Sequence, residues 1–396
     1  MPNRPLGPFP TPETYHPVIQ GLINMIKRND WESKFEKAVS DAHNTDVEDM
    51  TTIVTLNDYY NYLHYLLMWV PREDETGSLI YNMLCTMYFV LDQESVQSLQ
   101  SPVKPSSYPP EPLSELSQWI IYFSCAMGQF LNTPQSLTEE SLKTFYMSDK
   151  YNMNIYEAPR DGWRCFNDFF ARKLLPGVRP IDGPSDPRVI VSAADSTFDG
   201  WWNIDENSIV TLKGIPWTIR ELLADSKYSN EFAGGKFMHA YLSPSDYHRQ
   251  HAPIDGTVLE AKVIPGQAYL EVNVKKDSRN KLVLKPGRGI GTDKPKADID
   301  TPDSPGYQFC QARGLFIIQS PKIGYVAVLP IGMCQVSSVI LTKKEGDEIK
   351  KGDEISYFQF GGSDVVLLFQ KNVQITAEIN QHYNVGQTIA IAKISD

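Results

Sequence analysis

From Tyr15 to about Leu99, apolar residues recur at helical spacing, as in Val18, Leu22 and Ile26 and again in Leu63, Leu66 and Leu67. A further helical stretch runs from Leu113 to about Leu131, and Thr138 is placed to cap a shorter helix that opens at Glu139. Between them Ser101–Pro112 holds five prolines and reads as a linker or loop. After about residue 186 the period changes. Short β-rich runs alternate with Gly and Pro turns: Val189–Ala193, Phe237–Leu242, Gly256–Ile264, Gly314–Gln319, Tyr325–Pro330, Gln335–Leu341, Ile355–Phe360 and Val365–Phe369. The pattern predicts an α+β chain, with a helical N-terminal region over 1–150 and a β-rich, barrel-like or sandwich-like domain over 151–396. Residues 1–14 are Pro-rich and read as extended. Lys275–Tyr307 is charged, rich in Gly and Pro and without a period, and reads as a long surface insertion, a candidate lid.

Composition narrows the function classes. The net charge of −11 argues against a nucleic-acid partner and against adhesion to anionic lipid through a basic patch. The longest apolar runs, Tyr62–Val70, Leu79–Leu91 and Trp119–Leu131, fall short of the roughly 20 residues that span a bilayer, so no integral membrane segment is expected. Residues 1–8 lack the apolar stretch of a signal peptide. Five cysteines, an odd number without metal-ligand spacing, fit reduced thiols in a cytoplasmic protein.

Three segments carry candidate chemistry. Gly361-Gly362-Ser363-Asp364 lies between two strand-like runs. Two glycines permit a strained backbone in which the Ser363 hydroxyl could attack its own preceding carbonyl, whereas the plain reading is a hairpin turn. His248 and His251 stand three apart in Tyr247-His248-Arg249-Gln250-His251-Ala252-Pro253. That spacing suits a general base better than a shared metal, and no metal site is expected. Asp195 closes the run Val191-Ser192-Ala193-Ala194, where it could end a strand or orient an imidazole. Gly287-Arg288-Gly289-Ile290-Gly291 is a poor phosphate cradle, so pyridoxal phosphate is not favoured.

Taken in order, these blocks resemble the phosphatidylserine decarboxylase family. Phe169-Phe170-Ala171-Arg172-Lys173-Leu174 with Arg179-Pro180 is similar to its FFxRxL…RP segment, and Val191–Asp195 to its strand ending in a triad aspartate. Tyr247–Gly256 resembles its HRxHxPxxG block, Pro330-Ile331-Gly332-Met333 its apolar strand with glycine, and Lys344–Glu354 its approach to the cleavage site at Gly361-Gly362-Ser363. The likeness covers about residues 160–396. Asp364 departs from it, since the family usually has Thr after the serine. The helical N-terminal region resembles that of a soluble branch acting on free aromatic amino acids, including fungal tryptophan decarboxylases.

The resemblance implies a self-processing carboxy-lyase. His251, oriented by Asp195, would take the Ser363 proton, and the oxygen would attack the Gly362 carbonyl. Elimination and hydrolysis would convert Ser363 to a pyruvoyl group, leaving a β chain of residues 1–362 and an α chain of residues 363–396. The pyruvoyl would bind the substrate amine as a Schiff base and take up the electrons left by CO2. His248 would handle protons at the substrate. The expected substrate is a free aromatic L-amino acid, tryptophan first. The alternatives are phosphatidylserine, an unprocessed inactive homologue, and an ordinary serine hydrolase, for which the GxSxG elbow is absent. For Asp364 three roles stand open: holding a substrate ammonium, slowing self-cleavage, or pointing into solvent.

Overall fold

The computed structural model describes residues 7–102, 112–212, 215–277, 279–286, 311–334, 338–360 and 362–394. The helical stretches resolve into Pro17–Arg28, Glu32–His43, Leu56–Leu67, Leu79–Leu91 and Glu115–Leu131, with shorter helices that include Glu139–Tyr146 and Phe166–Phe170. Thr55 and Asp58 close a capping box at one N-terminus, and Thr138 caps another through the Ser141 N–H. Leu79–Leu91 is apolar nearly all round and is buried to match.

Eight antiparallel strands form the main sheet. Their order is Glu348–Ile349, Gly256–Ile264, Arg313–Ser320, Gly324–Met333, Gly362–Phe369, Lys236–Leu242, Ser196–Asn203 and His382–Tyr383. Gly362–Phe369, hereafter the serine strand, is flanked on both edges. The next two are the histidine strand (Lys236–Leu242) and the bulged strand (Ser196–Asn203). A three-stranded sheet of Val339–Leu341, Glu354–Phe358 and Arg249–His251 lies alongside.

Side chains alternate along the serine strand, and both faces are dry. Val365, Leu367 and Phe369 join an apolar cluster that begins at Ile19 in the first helix. Val366 and Leu368 face a second cluster with Val210, Trp217, Leu222 and Phe232. Each such fully buried side chain contributes roughly 1.5–3 kcal/mol of transfer free energy.

Three expectations change. The main sheet is open, and no closed barrel occurs among the described residues. The two runs around Gly361-Gly362-Ser363 do not pair as a hairpin, because Glu354–Phe358 and Gly362–Phe369 belong to different sheets. The insertion begins as a docked hairpin, Val272–Lys276 with Leu282–Pro286, rather than a free lid. Val272 and Leu284 enter the larger core, the Val272 N–H donates to Asp92, and Lys281 pairs with Glu48. Residues 287–310 lie outside the described residues, as do most of the Pro-rich linker and Gly361.

Buried Glu73 ties this helical layer together. Its carboxylate accepts from the Leu79 N–H at 2.8 Å and the Tyr151 hydroxyl at 2.8 Å. Burial outweighs those bonds and raises its pKa to about 7. A folded pKa above the unfolded value means stability fully present below about pH 4.5 and lost as pH rises through 7. The loss should approach about 3 kcal/mol. Urea midpoints at pH 5 and pH 8 should differ for the wild type, and Glu73→Gln should remove that part of the difference.

Candidate active site

Ser363 is the second residue of the serine strand. It lies opposite Leu242 of the histidine strand and Gly332 of Gly324–Met333, and Met333 lies opposite Gly362. The block Pro330-Ile331-Gly332-Met333 is therefore the strand directly across from the expected cut. Ser363 is fully buried, and its Oγ is 3.3 Å from Nδ1 of His248, itself fully buried.

The surroundings of His248 decide which nitrogen can accept. Its Nε2 lies 3.2 Å from the Pro244 carbonyl, which can only accept a hydrogen bond. The ring proton therefore sits on Nε2, and Nδ1 is left as an acceptor for the Ser363 hydroxyl. Phe170 stacks on the imidazole at 3.9 Å between centroids and 18° between planes. Phe170 also meets Phe360 edge-on at 5.5 Å, and the Phe360 N–H donates to Asn167 Oδ1 at 3.0 Å. The short helix Phe166–Phe170 thus holds both His248 and the segment leading to Gly362.

The loop before His248 is held by Arg172. This buried guanidinium donates to the Ser245 carbonyl at 2.7 Å and lies 4.2 Å from the Tyr156 ring centroid. Arg249 donates to the Ala171 carbonyl at 2.8 Å and to both Glu354 oxygens at 2.8 and 2.9 Å. The Phe358 N–H donates to the His248 carbonyl at 2.9 Å.

His251 and Asp195 are placed differently. His251 Nδ1 donates to the Gly352 carbonyl at 2.7 Å, and Nε2 accepts from the Tyr247 hydroxyl at 2.9 Å. Burial lowers the His251 pKa, against the pull of the Gly352 bond and of Glu354 and Asp195. The ring is thereby neutral, and neither nitrogen is bonded to Ser363. Asp195 accepts from Arg179 Nε at 3.0 Å and from the Val385 N–H at 2.8 Å, and it makes no hydrogen bond to His251. The structure brings Ser363 and His248 together, while Asp195 acts on His251 only through space.

Asp364 faces the other side of the sheet and is fully buried, so the solvent-pointing role is excluded. Its Oδ1 lies 3.7 Å from His239 Nε2, and His239 Nδ1 is 2.9 Å from Asp199 Oδ2. Burial alone would lower the His239 pKa. The hydrogen bond to Asp199 and the nearby carboxylates of Asp199 and Asp364 raise it to about 9 instead.

The site supplies a hydroxyl, an imidazole oriented to take its proton, and a preceding glycine with no side chain to obstruct attack. These features fit the formation of a pyruvoyl group at Ser363. Among the described residues no cluster of three or more His, Cys, Asp and Glu side chains is grouped to hold a metal. Phe170, Arg172, Arg179 and Tyr247 lie in motif blocks visible in the sequence but were not singled out as parts of the site, and Asn167 stands just before the first block. Sequence reasoning also passed over Asp199 and His239, whose only signal is an ionisable residue inside an apolar strand run.

The family model described as phosphatidylserine decarboxylase matches residues 166–391. The phosphatidylserine decarboxylase proenzyme of Fusobacterium nucleatum is 32% identical over 246 residues, covering 62% of this chain and 72% of the relative. That of Clostridium perfringens is 31% identical over 266 residues, covering 67% and 80%. Phosphatidylserine decarboxylase proenzyme 3 of Schizosaccharomyces pombe is 32% identical over 250 residues, 63% of this chain but only 23% of that longer protein. Family members are carboxy-lyases that carry a pyruvoyl group made from their own serine. The relatives are named for phosphatidylserine, which favours the lipid alternative over the free aromatic amino acid. From the order of its motif blocks, the pairing of Ser363 with His248 and these matches, the chain belongs to the phosphatidylserine decarboxylase family.

Proposed function

We propose that this chain cuts itself between Gly362 and Ser363 and then decarboxylates the serine headgroup of phosphatidylserine. The observation that carries the self-processing reading is the contact between Ser363 Oγ and His248 Nδ1 at 3.3 Å, inside a buried strand. The names of the relatives support the substrate.

In the cut, His248 accepts the Ser363 proton and the oxygen attacks the Gly362 carbonyl carbon. The Gly362–Ser363 C–N bond breaks, leaving an ester and a free amine. Loss of the Ser363 Cα proton expels the Gly362 carboxylate, and water then replaces the nitrogen as ammonia. The resulting pyruvoyl group supplies the electron sink for decarboxylation. Around it, Phe170 excludes water from one face of His248, and Nδ1 remains within reach of the same atoms to hold or return a proton. His251 and Tyr247 form a second, neutral proton pair beside Asp195 and Arg179. The products are a β chain of residues 1–362 and an α chain of residues 363–396.

A second substrate reading, a free amino acid such as an aromatic one, is favoured by the net charge of −11, which opposes approach to an anionic surface. No described helix is long and apolar enough to cross a membrane. The lipid reading therefore has the enzyme meet lipid from the water side, in a cytoplasmic setting that the odd cysteine count favours.

Denaturing mass analysis should find two chains for the wild type, the smaller with a blocked N-terminus, and one chain for Ser363→Ala. His248→Ala should leave the chain uncut. If it cuts normally while His251→Ala stays whole, the base is His251, as the family resemblance implies, and His248 serves the substrate.

Ethanolamine lipid should form from phosphatidylserine vesicles at a rate at least about tenfold above CO2 release from any free amino acid at matched concentration, a margin of roughly 1.4 kcal/mol. Turnover of free tryptophan without turnover of vesicles would reverse the substrate assignment.

A further inference from the structure

Successive residues of a strand point to opposite faces, and the two at the cut end divide accordingly. Ser363 points toward His248 and the larger core. Asp364 points into the second layer, where three adjacent strands each contribute one ionisable side chain. Asp199 comes from the bulged strand, His239 from the histidine strand and Asp364 from the serine strand.

The backbone explains how they meet. Val366 lies opposite His239 and Asp364 opposite Tyr241, so His239 and Asp364 are diagonal neighbours on one face. In the bulged strand the register slips between Phe198 and Gly200, which lie opposite Ala240 and His239. Asp199 is the extra residue of that bulge, and bulges re-aim side chains. Its carboxylate reaches His239 Nδ1 while Asp364 lies at Nε2. All three are at most 3% exposed. The largest charges bearing on His239 are these two carboxylates.

This arrangement argues against a substrate-binding role for Asp364. The carboxylate is buried on the face opposite the Ser363 hydroxyl and is already matched by an imidazolium. Its value lies in where it anchors the chain. Before the cut, Ser363 is tethered along the backbone in both directions. Afterwards it becomes a chain end, and ends fray unless something ties them down. Asp364 is the first side chain behind that end.

We propose that Asp199, His239 and Asp364 form a positioning relay that pins the cut end of the serine strand, so that the reactive carbonyl made from Ser363 stays in register beside His248. The proposal rests on the self-cleavage reading above. A misplacement of about 1 Å can cost as much as 10²-fold in rate, which sets the scale of the effect.

The test uses the full-length, self-processed protein and the isosteric variants Asp364→Asn and Asp199→Asn. Three quantities are read: the fraction cut, kcat and KM on phosphatidylserine vesicles per cut chain, and amide hydrogen exchange in residues 364–366. Asp364→Asn should still cut. Its kcat should fall about 10- to 100-fold with KM within about twofold, and exchange at residues 364–366 should quicken. Asp364→Glu should restore part of kcat. In the wild type kcat should fall as pH rises through about 9, where His239 loses its proton. In Asp199→Asn that falling limb should move to lower pH. A fully cut Asp364→Asn protein with wild-type kcat, pH profile and exchange would overturn the relay. So would a variant that never cuts, since the relay would then be needed before the bond breaks. A wild-type chain that stays whole would instead sink the self-cleavage reading.

Discussion

The site depends on a backbone ladder that is complete on both edges of one strand. Ser363 to Phe369 is hydrogen-bonded to Lys236–Leu242 on one side and to Gly324–Met333 on the other. A buried N–H or C=O without a partner is costly, so this ladder cannot be given up when one peptide bond within it is broken. Both neighbouring strands lie before Gly362 and would belong to the larger fragment. The smaller fragment would also keep Thr388–Ala392, which pairs with Val189–Val191. Its alternating side chains enter both apolar layers. Cutting would therefore change the chemistry at Ser363 without separating the two pieces.

The same logic explains why motif blocks far apart in the chain form one site. The Phe169–Leu174 block contributes no reacting group. Phe170 supplies the plane on which His248 rests, and Arg172 holds the loop that delivers it. Asn167, just before that block, holds the Phe360 N–H, so His248 and the segment leading to Ser363 share one short helix as their reference. Arg179 neutralises Asp195 at the edge of the site. An imidazole held this way has little freedom to leave the serine, 3.3 Å away.

Much of the fold was legible because its signals are local. The Gly256–Ile264 strand has the bounds that its pattern predicts, and Thr138 caps its helix as the hydroxyl position requires. Of the barrel-like and sandwich-like readings, a closed barrel is not met, because short strands with regular turns are common to open and closed sheets, and closure depends on long-range pairing that no local pattern encodes. The Gly-Gly-Ser hairpin misleads for a related reason. Two adjacent strand runs usually pair with each other, yet here they belong to different sheets. At the site, Ser363 and both histidines were visible as residue types. Which histidine meets the serine was not, because that choice is made by Phe170, Pro244 and Gly352 from three separate segments. The Asp199 contact was hidden for a further reason: it depends on a bulge that shifts register by one residue.

Buried ionic groups are seldom kept for stability alone. Apolar residues of similar volume often serve as well or better, by about 1–4 kcal/mol, because desolvating charge consumes most of the Coulombic gain. The layer holding Asp199, His239 and Asp364 is otherwise lined by Val366, Leu368, Ile331 and Phe237, all of which pack without polar atoms in their side chains. A valine or threonine at 364 would suit that layer. What a charged trio would add is direction: an imidazolium hydrogen-bonded to Asp199 and drawn to the Asp364 carboxylate 3.7 Å away would resist rotation and sliding in a way that a methyl group does not. Directional restraint matters most where covalent restraint is removed, and Asp364 stands one residue behind the bond proposed to break. One buried face of the strand would thus carry the restraint and the other the chemistry, and the period of two along a β-strand is what allows adjacent residues to do both.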